Sequence, residues 1–366
     1  MSCMTQQWLD PIVRVQTLSE SGLHFIPNNY IKPVVDRPDS DNALDEINLP
    51  VIDIGGFMNG SLESSETTML AISNACKEWG FFQVVNHGVS NELIRKTKDM
   101  WREFFHLPME EKTTYANLPT TFEGYGSRLG VKRDAILDWG DYFFLQLFPE
   151  SVRSHDKWPK VPTPFFIFFL FFFCSAITEE YSKALMNLCK LLTQVLSLNL
   201  GLDKSFIWKA FGEEEIGSCM RVNYYPKCPQ PGLTLGLSAH SDPGGLTVLM
   251  PDYRVKGLQV RKNDEWITVK PMTDAFIVNV GDQIQVLSNA IYKSVEHRVT
   301  VNSTEERLSV AFFYNPRGDL PIGPAQELVN PVRPALYKPV TFNEYRLYMR
   351  KEGPSGKSQI ETLKAE

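Results

Sequence analysis

The spacing of apolar residues divides the chain into a helix-rich half followed by a strand-rich half. Residues 63–79 and 91–105 repeat apolar side chains at three- and four-residue intervals, which predicts amphipathic helices. The same spacing returns between residues 177 and 200, and Gly201 supplies a residue that commonly ends a helix. Two short strands are predicted, at 49–54 before the first of these helices and at 81–85 between the first two. The first half therefore predicts helices that cover a sheet.

From Ser218 onward the pattern changes to short segments separated by turn residues. Nine strands are predicted, at 219–225, 234–239, 245–250, 257–261, 265–270, 275–280, 284–287, 296–301 and 307–314. Many short strands at this spacing are typical of a barrel or a sandwich. Residues 335–350 predict a further helix, and the last dozen residues are expected to be disordered.

These changes of pattern set the predicted organisation of the chain. The segments are an N-terminal arm and linker (1–48), an N-terminal domain (49–163), an anomalous insertion (164–176), a long supporting helix (177–213), a strand-rich core (214–317), and a C-terminal helix with a tail (318–366).

The insertion is unusual because phenylalanine dominates it, in the run PFFIFFLFFFC at residues 164–174. Its apolar stretch, Phe165 to Phe173, is too short for a bilayer, which needs about 20 residues. The residue types can all be encoded by pyrimidine-rich codons, like the tract before a 3′ splice site. We interpret the run as an unspliced intron remnant in the gene model, with a genuine insertion as the alternative.

Composition excludes several function classes. The net charge is −6 without a basic block, which argues against nucleic acid as a partner. The six cysteines show no C-x-x-C pair, as expected for free thiols in a reducing compartment. Met1 to Pro11 lacks the apolar core of a signal peptide. We therefore expect a monomer in the cytosol, with the nucleus as an alternative, and no membrane partner.

Three residues of the strand-rich half have the spacing of a metal site. His240 and Asp242 are two positions apart at a strand end, so their side chains point to the same side. His297 follows after 54 intervening residues. Two histidines and one carboxylate form the facial triad of non-haem Fe(II) oxygenases, which leaves coordination positions open. We therefore predict that His240, Asp242 and His297 bind Fe(II).

A carboxylate site is predicted close to the second histidine. Arg307 and Ser309 are again two positions apart on a strand, ten residues beyond His297. A guanidinium fork with a neighbouring hydroxyl can hold a carboxylate. The H-x-D pair alone occurs by chance, whereas H-x-D, a distant histidine and R-x-S together are far more specific.

With these motifs the chain resembles the plant 2-oxoglutarate- and Fe(II)-dependent dioxygenases. The resemblance extends from about residue 12 to about residue 355 and includes LPVIDI (49–54), WGFFQVVNHGV (79–89) and NYYPKCP (223–229). Within that family the chain is similar to the jasmonate-induced oxygenase group. This second similarity is carried by RVQTLSESGL, IPNNYIKP, WREFFHLP, FEGYGSRLGV and YRLYMRKEGPSGKS.

The resemblance implies a fold and a set of cofactors. The fold would be mixed α/β, with a double-stranded β-helix (jelly-roll) core, a helical N-terminal cover and a C-terminal helix. Fe(II) would be the metal, 2-oxoglutarate and O2 the cosubstrates, and ascorbate the reductant. Arg307 and Ser309 would hold the distal carboxylate of 2-oxoglutarate, supported by Asn223 and Tyr225.

The resemblance also implies a substrate, jasmonic acid, which would be hydroxylated to 12-hydroxyjasmonate. This reaction would lower the active jasmonate and damp defence signalling. Arg221 occupies the place of a lysine, and Asn315 that of an acidic residue, in flavonoid enzymes of the anthocyanidin synthase type. Both differences make the pocket more cationic, which suits a small carboxylic acid.

Further substrate contacts are predicted on the C-terminal helix and on the strands. Arg346 and Arg350 are four residues apart and share a helix face, unless both simply face solvent. The expected apolar wall comprises Phe312, Phe313 and Phe342. Tyr142 and Phe144 share a strand face in a region that lines the substrate cavity in related dioxygenases, with core packing as the alternative. His87 and His106 are interpreted as structural.

Two other functions stay open at this point. A flavonoid oxygenase of the anthocyanidin synthase or flavonol synthase type would share the fold, but Arg221 and Asn315 count against it. A non-catalytic binding protein is the other alternative, and the intact metal and carboxylate motifs count against that.

Overall fold

The structure is a computed structural model that describes residues 12–38, 46–58, 62–128, 130, 132, 135–159, 173–354 and 356–365. Within these residues the helices are α1 (Val15–Glu20), α2 (Gly55–Met58), α3 (Leu62–Glu78), α4 (Asn91–His106), α5 (Met109–Thr113), α6 (Phe173–Asn199), α7 (Phe206–Ala210), α8 (Asp282–Leu287), α9 (Phe342–Glu352) and α10 (Ser358–Glu361). The described part of the chain contains no helix with both the length and the apolar character that a membrane span requires.

The strands of the same residues are β1 (Glu46–Ile47), β2 (Val51–Asp53), β3 (Phe81–Val85), β4 (Gly124–Gly126), β5 (Asp141–Phe148), β6 (Gly217–Tyr225), β7 (Leu237–His240), β8 (Leu246–Met250), β9 (Leu258–Lys262), β10 (Glu265–Val269), β11 (Phe276–Val280), β12 (His297–Val299), β13 (Arg307–Asn315), β14 (Pro321–Ile322) and β15 (Val340–Thr341). They form an eight-stranded sheet in the order β2-β3-β11-β8-β13-β6-β5-β4, a five-stranded sheet in the order β1-β10-β9-β12-β7, and the pair β14-β15. This is the predicted jelly roll.

The main core lies between the eight-stranded sheet and the helices behind it. Helix α4 shows why these helices pack there. Ser90 caps its N-terminus by accepting a hydrogen bond from the Leu93 backbone N–H at 3.2 Å. Its apolar side chains recur on one face. Phe104 packs edge-on against the sheet residue Phe143 and against Trp101, and the Trp101 ring is tilted against Phe143. The opposite face of the sheet is left to line the site.

An N-terminal arm, residues 12–38, is attached to the outside of the jelly roll by hydrogen bonds along much of its length, and two of the attachment points involve segments of the site. The Asp141 carboxylate accepts hydrogen bonds from the backbone N–H groups of Val15 at 3.0 Å and Gln16 at 2.9 Å. Further along, the buried Lys32 ammonium lies 2.8 Å from both Asp138 and the Ser238 hydroxyl. Both attachment points belong to segments that also supply residues to the site.

The C-terminal segment is folded, so the expectation of a disordered last dozen residues is wrong for the part that is described. Ile360 is 1% exposed and Gln359 is fully buried. The Gln359 side-chain amide donates to the Gly353 carbonyl at 2.7 Å. Burial of these side chains and this hydrogen bond hold α10 against the end of α9. The predicted helix 335–350 is also shorter at its start, because α9 begins at Phe342.

One of the nine predicted strands is wrong. Residues 284–287 belong to helix α8, where Ile284, Val286 and Leu287 are buried. A short apolar run is compatible with a buried strand or a buried helix, and periodicity alone does not distinguish them. The other eight predicted strands overlap observed strands. Most of the phenylalanine-rich insertion lies outside the described residues, and α6 begins at Phe173.

Candidate active site

The two histidines lie on neighbouring antiparallel strands, directly opposite each other. His240 ends β7 and pairs in register with His297 at the start of β12. Asp242 follows immediately after β7, and its Oδ1 lies 3.7 Å from His240 Nε2 and 3.8 Å from His297 Nε2. The three ligand atoms all lie within 4.8 Å of one another, a spacing that one shared cation would fit. No other such group occurs among the described residues.

Backbone carbonyls orient both imidazoles toward this point. His240 Nδ1 lies 2.8 Å from the Ser238 carbonyl, and His297 Nδ1 lies 3.2 Å from the Val295 carbonyl. A proton donated from Nδ1 leaves the Nε2 lone pair free for a metal. Burial, together with the nearby His297, lowers the pKa of His240 to about 4. At neutral pH His240 is therefore in the neutral form that coordinates a metal.

Hydrogen bonds to the second oxygen of Asp242 fix the orientation of its carboxylate. Oδ2 accepts hydrogen bonds from Thr247 Oγ1 at 2.6 Å and from Asn279 Nδ2 at 2.8 Å. Burial by itself raises the pKa of Asp242, but the two histidines and these two hydrogen bonds outweigh it, so the net pKa is lowered. Asp242 is therefore ionised, with Oδ1 turned toward the histidines. Two imidazoles and a carboxylate are a donor set that fits Fe(II).

Removing the Thr247 hydroxyl should weaken metal binding without removing a ligand. We expect Thr247→Val to raise the dissociation constant for Fe(II) about 10- to 100-fold, the usual effect of losing an outer partner of a metal ligand. Anaerobic Fe(II) titration against a competing chelator measures this. Thr268→Val is the control, because it removes a hydrogen bond to Gln259 in the five-stranded sheet away from the metal site. Equal affinities in wild type and Thr247→Val would contradict this role.

The predicted cosubstrate residues form a second group on two paired strands. On β13 and β6, Arg307 pairs with Tyr225 and Ser309 pairs with Asn223. Arg307 Nη1 lies 3.4 Å from Ser309 Oγ, and its guanidinium lies 5.3 Å from the centre of the Tyr225 ring. The alternation of the strands therefore places all four on one face, toward the metal ligands.

Arg307 has the surroundings of a residue that receives an anion. It is 4% exposed, and its Nε has no hydrogen-bond partner within the described part of the chain. Buried polar groups are normally paired, and burial lowers the pKa of this guanidinium because charge is costly there. A carboxylate from 2-oxoglutarate would supply both the missing acceptor and the compensating charge. The residues present therefore fit this cosubstrate.

A single cavity between the two sheets joins the metal ligands to the other predicted residues. Apart from Phe312, which does not line it, the cavity is lined by the predicted site residues Tyr142, Arg221, Asn223, Tyr225, His240, Asp242, His297, Arg307, Ser309, Phe313, Asn315, Phe342, Arg346 and Arg350. Residues of helix α9 and the segment Gly353–Pro354 also belong to its lining. The alternative that Arg346 and Arg350 simply face solvent is therefore wrong.

Three arginines approach the cavity from two elements. Arg221 on β6 lies with its guanidinium 4.0 Å from the centre of the Tyr142 ring and donates to Asn223 Oδ1 at 2.7 Å. Arg346 and Arg350 come from α9, and Arg350 stacks 4.9 Å from the Phe122 ring. Within the described residues, none of the three forms a salt bridge with an aspartate or glutamate. The cavity therefore holds positive charge that an anionic ligand could neutralise.

Burial, with the neighbouring Arg346, lowers the pKa of Arg350 to about 10. Its guanidinium is nevertheless protonated at neutral pH. Burial also lowers the pKa of Arg221. Because protein surroundings destabilise these charges, an anion bound between them would gain more than it would at the surface.

Some of the site could not be read from the sequence. Thr247 and Asn279 were missed, although an asparagine within the fully buried strand β11 was an available signal. Phe122 was also missed; it has a φ of 57° and carried no periodic signal. Phe312 was wrongly placed in the cavity wall. It is fully buried in the core, because its neighbour Phe313 faces the cavity and adjacent strand residues face opposite sides.

His87 and His106 lie outside the cavity lining, in line with a structural interpretation. His87 Nδ1 accepts from the Val89 backbone N–H at 3.2 Å, and its ring lies against Phe276. His106 lies 2.9 Å from a carboxylate oxygen of Glu306.

Comparisons with known proteins extend over nearly the whole chain. The model of the 2OG-Fe(II) oxygenase superfamily matches residues 216–316. The model described as non-haem dioxygenase in morphine synthesis N-terminal matches residues 49–161. Jasmonate-induced oxygenase 2 of Arabidopsis thaliana is 54% identical over 357 residues, with 97% of this chain and 94% of that protein covered.

Solved structures show the same similarity. A crystal structure of JOX2 in complex with 2OG, Fe and JA has a TM-score of 0.90 and 53% identity, covering 98% of this chain and 100% of that one. The dioxygenase for auxin oxidation of rice has a TM-score of 0.71 and 25% identity, covering 87% of this chain and 100% of that one.

Proposed function

Because the chain belongs to the 2OG-Fe(II) oxygenase superfamily, and is a 2-oxoglutarate-dependent dioxygenase with Fe(II) as its metal, we propose that it hydroxylates jasmonic acid to 12-hydroxyjasmonate. The observation that carries this proposal is that Arg221, Arg346 and Arg350 line the same, otherwise largely apolar, cavity as the metal ligands. A small acid with an apolar tail is complementary to that arrangement.

The reaction would consume one 2-oxoglutarate and one O2 for each jasmonate and yield succinate, CO2 and the alcohol. Iron, when bound with 2-oxoglutarate and O2, supplies the oxidising power to break an unactivated C–H bond. His240, Asp242 and His297 would hold the iron. Arg307 and Ser309 would fix the distal carboxylate of 2-oxoglutarate, with Asn223 and Tyr225 beside them.

The arginines would determine which part of the substrate reaches the metal. Guanidinium groups hold carboxylates in a defined orientation as well as tightly. With the carboxylate held by Arg221, Arg346 and Arg350, the pentenyl tail would lie along the wall formed by Tyr142, Phe313 and Phe342. Orientation of this kind decides which carbon lies close enough to react.

The relatives support the same substrate class. JOX2 was crystallised with JA, and its similarity to this chain includes almost every residue of both. Asn315, 5% exposed at the end of β13, contributes no negative charge to the cavity. Hydroxylation of the free acid would remove it before conjugation to an amino acid, and would thereby damp jasmonate-dependent defence. We place this activity in the cytosol, with the nucleus as an alternative.

The role of the arginines can be tested by removing the positive charge of an arginine or the negative charge of the substrate. We expect Arg350→Ala to lower kcat/KM for jasmonic acid roughly 10- to 150-fold, the range expected for losing a hydrogen bond between charged groups. Slow decarboxylation of 2-oxoglutarate without substrate should persist, because Arg350 does not touch the cosubstrate group. Jasmonate methyl ester, which lacks the charge, should be a correspondingly poor substrate of the wild-type enzyme. Product and succinate are both quantified by mass spectrometry.

The matched control is Lys351→Ala, which removes an exposed cation from the same helix. Equal rates on acid and ester would exclude the arginine cluster as the carboxylate site. Faster conversion of a dihydroflavonol than of jasmonic acid would assign the enzyme to the flavonoid oxygenases instead. The position of the new hydroxyl, determined by NMR of the product, decides between 12-hydroxylation and oxidation elsewhere on the tail.

A further inference from the structure

A buried carboxylate lies between the metal ligands and the helix that carries two of the arginines. Asp282, at the start of α8, is fully buried. Its Oδ2 accepts a hydrogen bond from Tyr345 Oη on α9 at 2.7 Å. The same oxygen accepts a hydrogen bond from Ser241 Oγ at 3.1 Å. Ser241 is the residue between the ligands His240 and Asp242.

We propose that Asp282 and Tyr345 form a bridge that fixes α9 relative to the metal ligands, and that this bridge determines which substrate carbon is oxidised. Tyr345 is a positioning residue in this scheme, since its ring and hydroxyl are buried away from the cavity lining. The inference rests on the proposed function in one respect, namely that the arginines of α9 hold the substrate carboxylate.

Main-chain hydrogen bonds support the bridge at both ends. The Asp282 backbone N–H donates to the Asp242 carbonyl at 2.8 Å. On the neighbouring side, the Gly356 backbone N–H donates to the Ala239 carbonyl at 2.8 Å, just after α9 has ended. The segment 239–242, which carries two metal ligands, is therefore held both by the start of α8 and by the chain that leaves α9.

The helix itself is fixed at its two ends, so the bridge acts on a rigid element. Thr341 and Glu344 form a capping box at its N-terminus. At its C-terminus the carbonyl of Gly353 receives the hydrogen bond from Gln359 at 2.7 Å. Between these ends, the Tyr345 hydroxyl connects the helix to the metal-ligand segment through Asp282.

Small movements of such a helix have large chemical consequences. A slide of one residue along the axis displaces its side chains by about 1.5 Å. Misplacement by about 1 Å is enough to change a rate about a hundredfold. In an alkyl tail, neighbouring C–H bonds differ in position by a comparable distance. The position of Arg346 and Arg350 relative to the metal therefore selects among neighbouring carbons.

The test compares two tyrosine-to-phenylalanine variants of the same helix. Tyr345→Phe removes the hydroxyl that reaches Asp282, whereas Tyr348→Phe removes one from a side chain that is 40% exposed. With Fe(II), 2-oxoglutarate and jasmonic acid, we expect Tyr345→Phe to raise the share of product hydroxylated at a neighbouring carbon roughly 2- to 10-fold, the population change that one ordinary hydrogen bond controls. The ratio of succinate to hydroxylated product should rise in the same variant.

If Tyr345→Phe only made the protein less stable, the preparation would contain fewer active molecules. Each active molecule would still give the wild-type product distribution. Unchanged regiochemistry and unchanged coupling in Tyr345→Phe would therefore overturn the proposal. Ser241→Ala, which breaks the bridge from the other end, should shift the product distribution in the same direction. A shift in Tyr348→Phe as large as that in Tyr345→Phe would also overturn it.

A substrate-free measurement separates this inference from the proposed function. In the anaerobic Fe(II) and 2-oxoglutarate complex, we expect Tyr345→Phe to accelerate amide hydrogen exchange both in residues 239–242 and in residues 343–350. Faster exchange confined to residues 343–350 would show that the bridge does not couple the two segments. That result would overturn the proposal. If the wild-type enzyme does not oxidise jasmonic acid, the proposed function fails, and this exchange experiment still decides the bridge.

Discussion

Asp242→Ala will abolish hydroxylation, and His240→Ala and His297→Ala will do the same. In the proposed site each residue would supply one of three protein ligands, and Asp242 is also the negative charge of the set. Loss of an outer partner of a metal ligand already costs about 10- to 100-fold. Loss of a ligand will cost more than that, in iron affinity as well as in turnover.

The measurement is iron content after anaerobic reconstitution, followed by turnover with excess Fe(II). The matched control is Asp99→Ala, which removes an aspartate whose side chain is 52% exposed in a surface ion pair with Arg95. Circular dichroism of each variant establishes that the fold is retained. Wild-type activity together with wild-type iron content in any of the three ligand variants would overturn the metal assignment.

Arg307→Ala will have the second large effect, on the concentration of 2-oxoglutarate that the enzyme requires. The guanidinium is buried beside Ser309 and Tyr225, and its removal would leave a desolvated carboxylate of the cosubstrate without its charged partner. Such a loss costs roughly 2–5 kcal/mol. This corresponds to a decrease in cosubstrate affinity of roughly 30- to 4,000-fold.

Binding of 2-oxoglutarate to the Fe(II) enzyme under anaerobic conditions measures the affinity directly, without turnover. Arg317→Ala is the control, because Arg317 follows shortly after the same strand but forms an exposed ion pair with Asp319. Iron affinity should change little in either variant, since neither arginine is a metal ligand. A cosubstrate affinity in Arg307→Ala that equals the wild-type value would remove Arg307 from the carboxylate site.

The parts of the site that could be predicted depend on short-range geometry. Residues two positions apart on a strand must share a face, so His240 with Asp242, and Arg307 with Ser309, could be paired from spacing alone. The position of His297 directly opposite His240 is a matter of strand register, which spacing does not determine. For His297, the resemblance to the dioxygenase family supplied the pairing with His240 that spacing along the chain does not determine.

The parts that failed depend on packing between distant segments. Residues 284–287 have the apolar character of a buried strand, but they fold as a helix whose first residue, Asp282, accepts bonds from Ser241 and Tyr345. Those partners are 41 and 63 residues away along the chain. A tail that looks polar in sequence is likewise ordered because Gln359 and Ile360 find buried positions. No local pattern contains these contacts.

The N-terminal arm also has a consequence for synthesis on the ribosome. Its residues leave the ribosome before those of the jelly roll, and their partners are made much later: Val15 bonds to a residue 126 positions on, and Lys32 to one 206 positions on. At 5–20 residues per second, Lys32 waits roughly 10–40 s for Ser238. During that time the apolar side chains of Val15, Ile26 and Tyr30, all buried in the finished protein, have no native surface to cover them. The arm is thus translated well before the surface that covers it, and its docking has to follow the synthesis of residues 138–141 and 238.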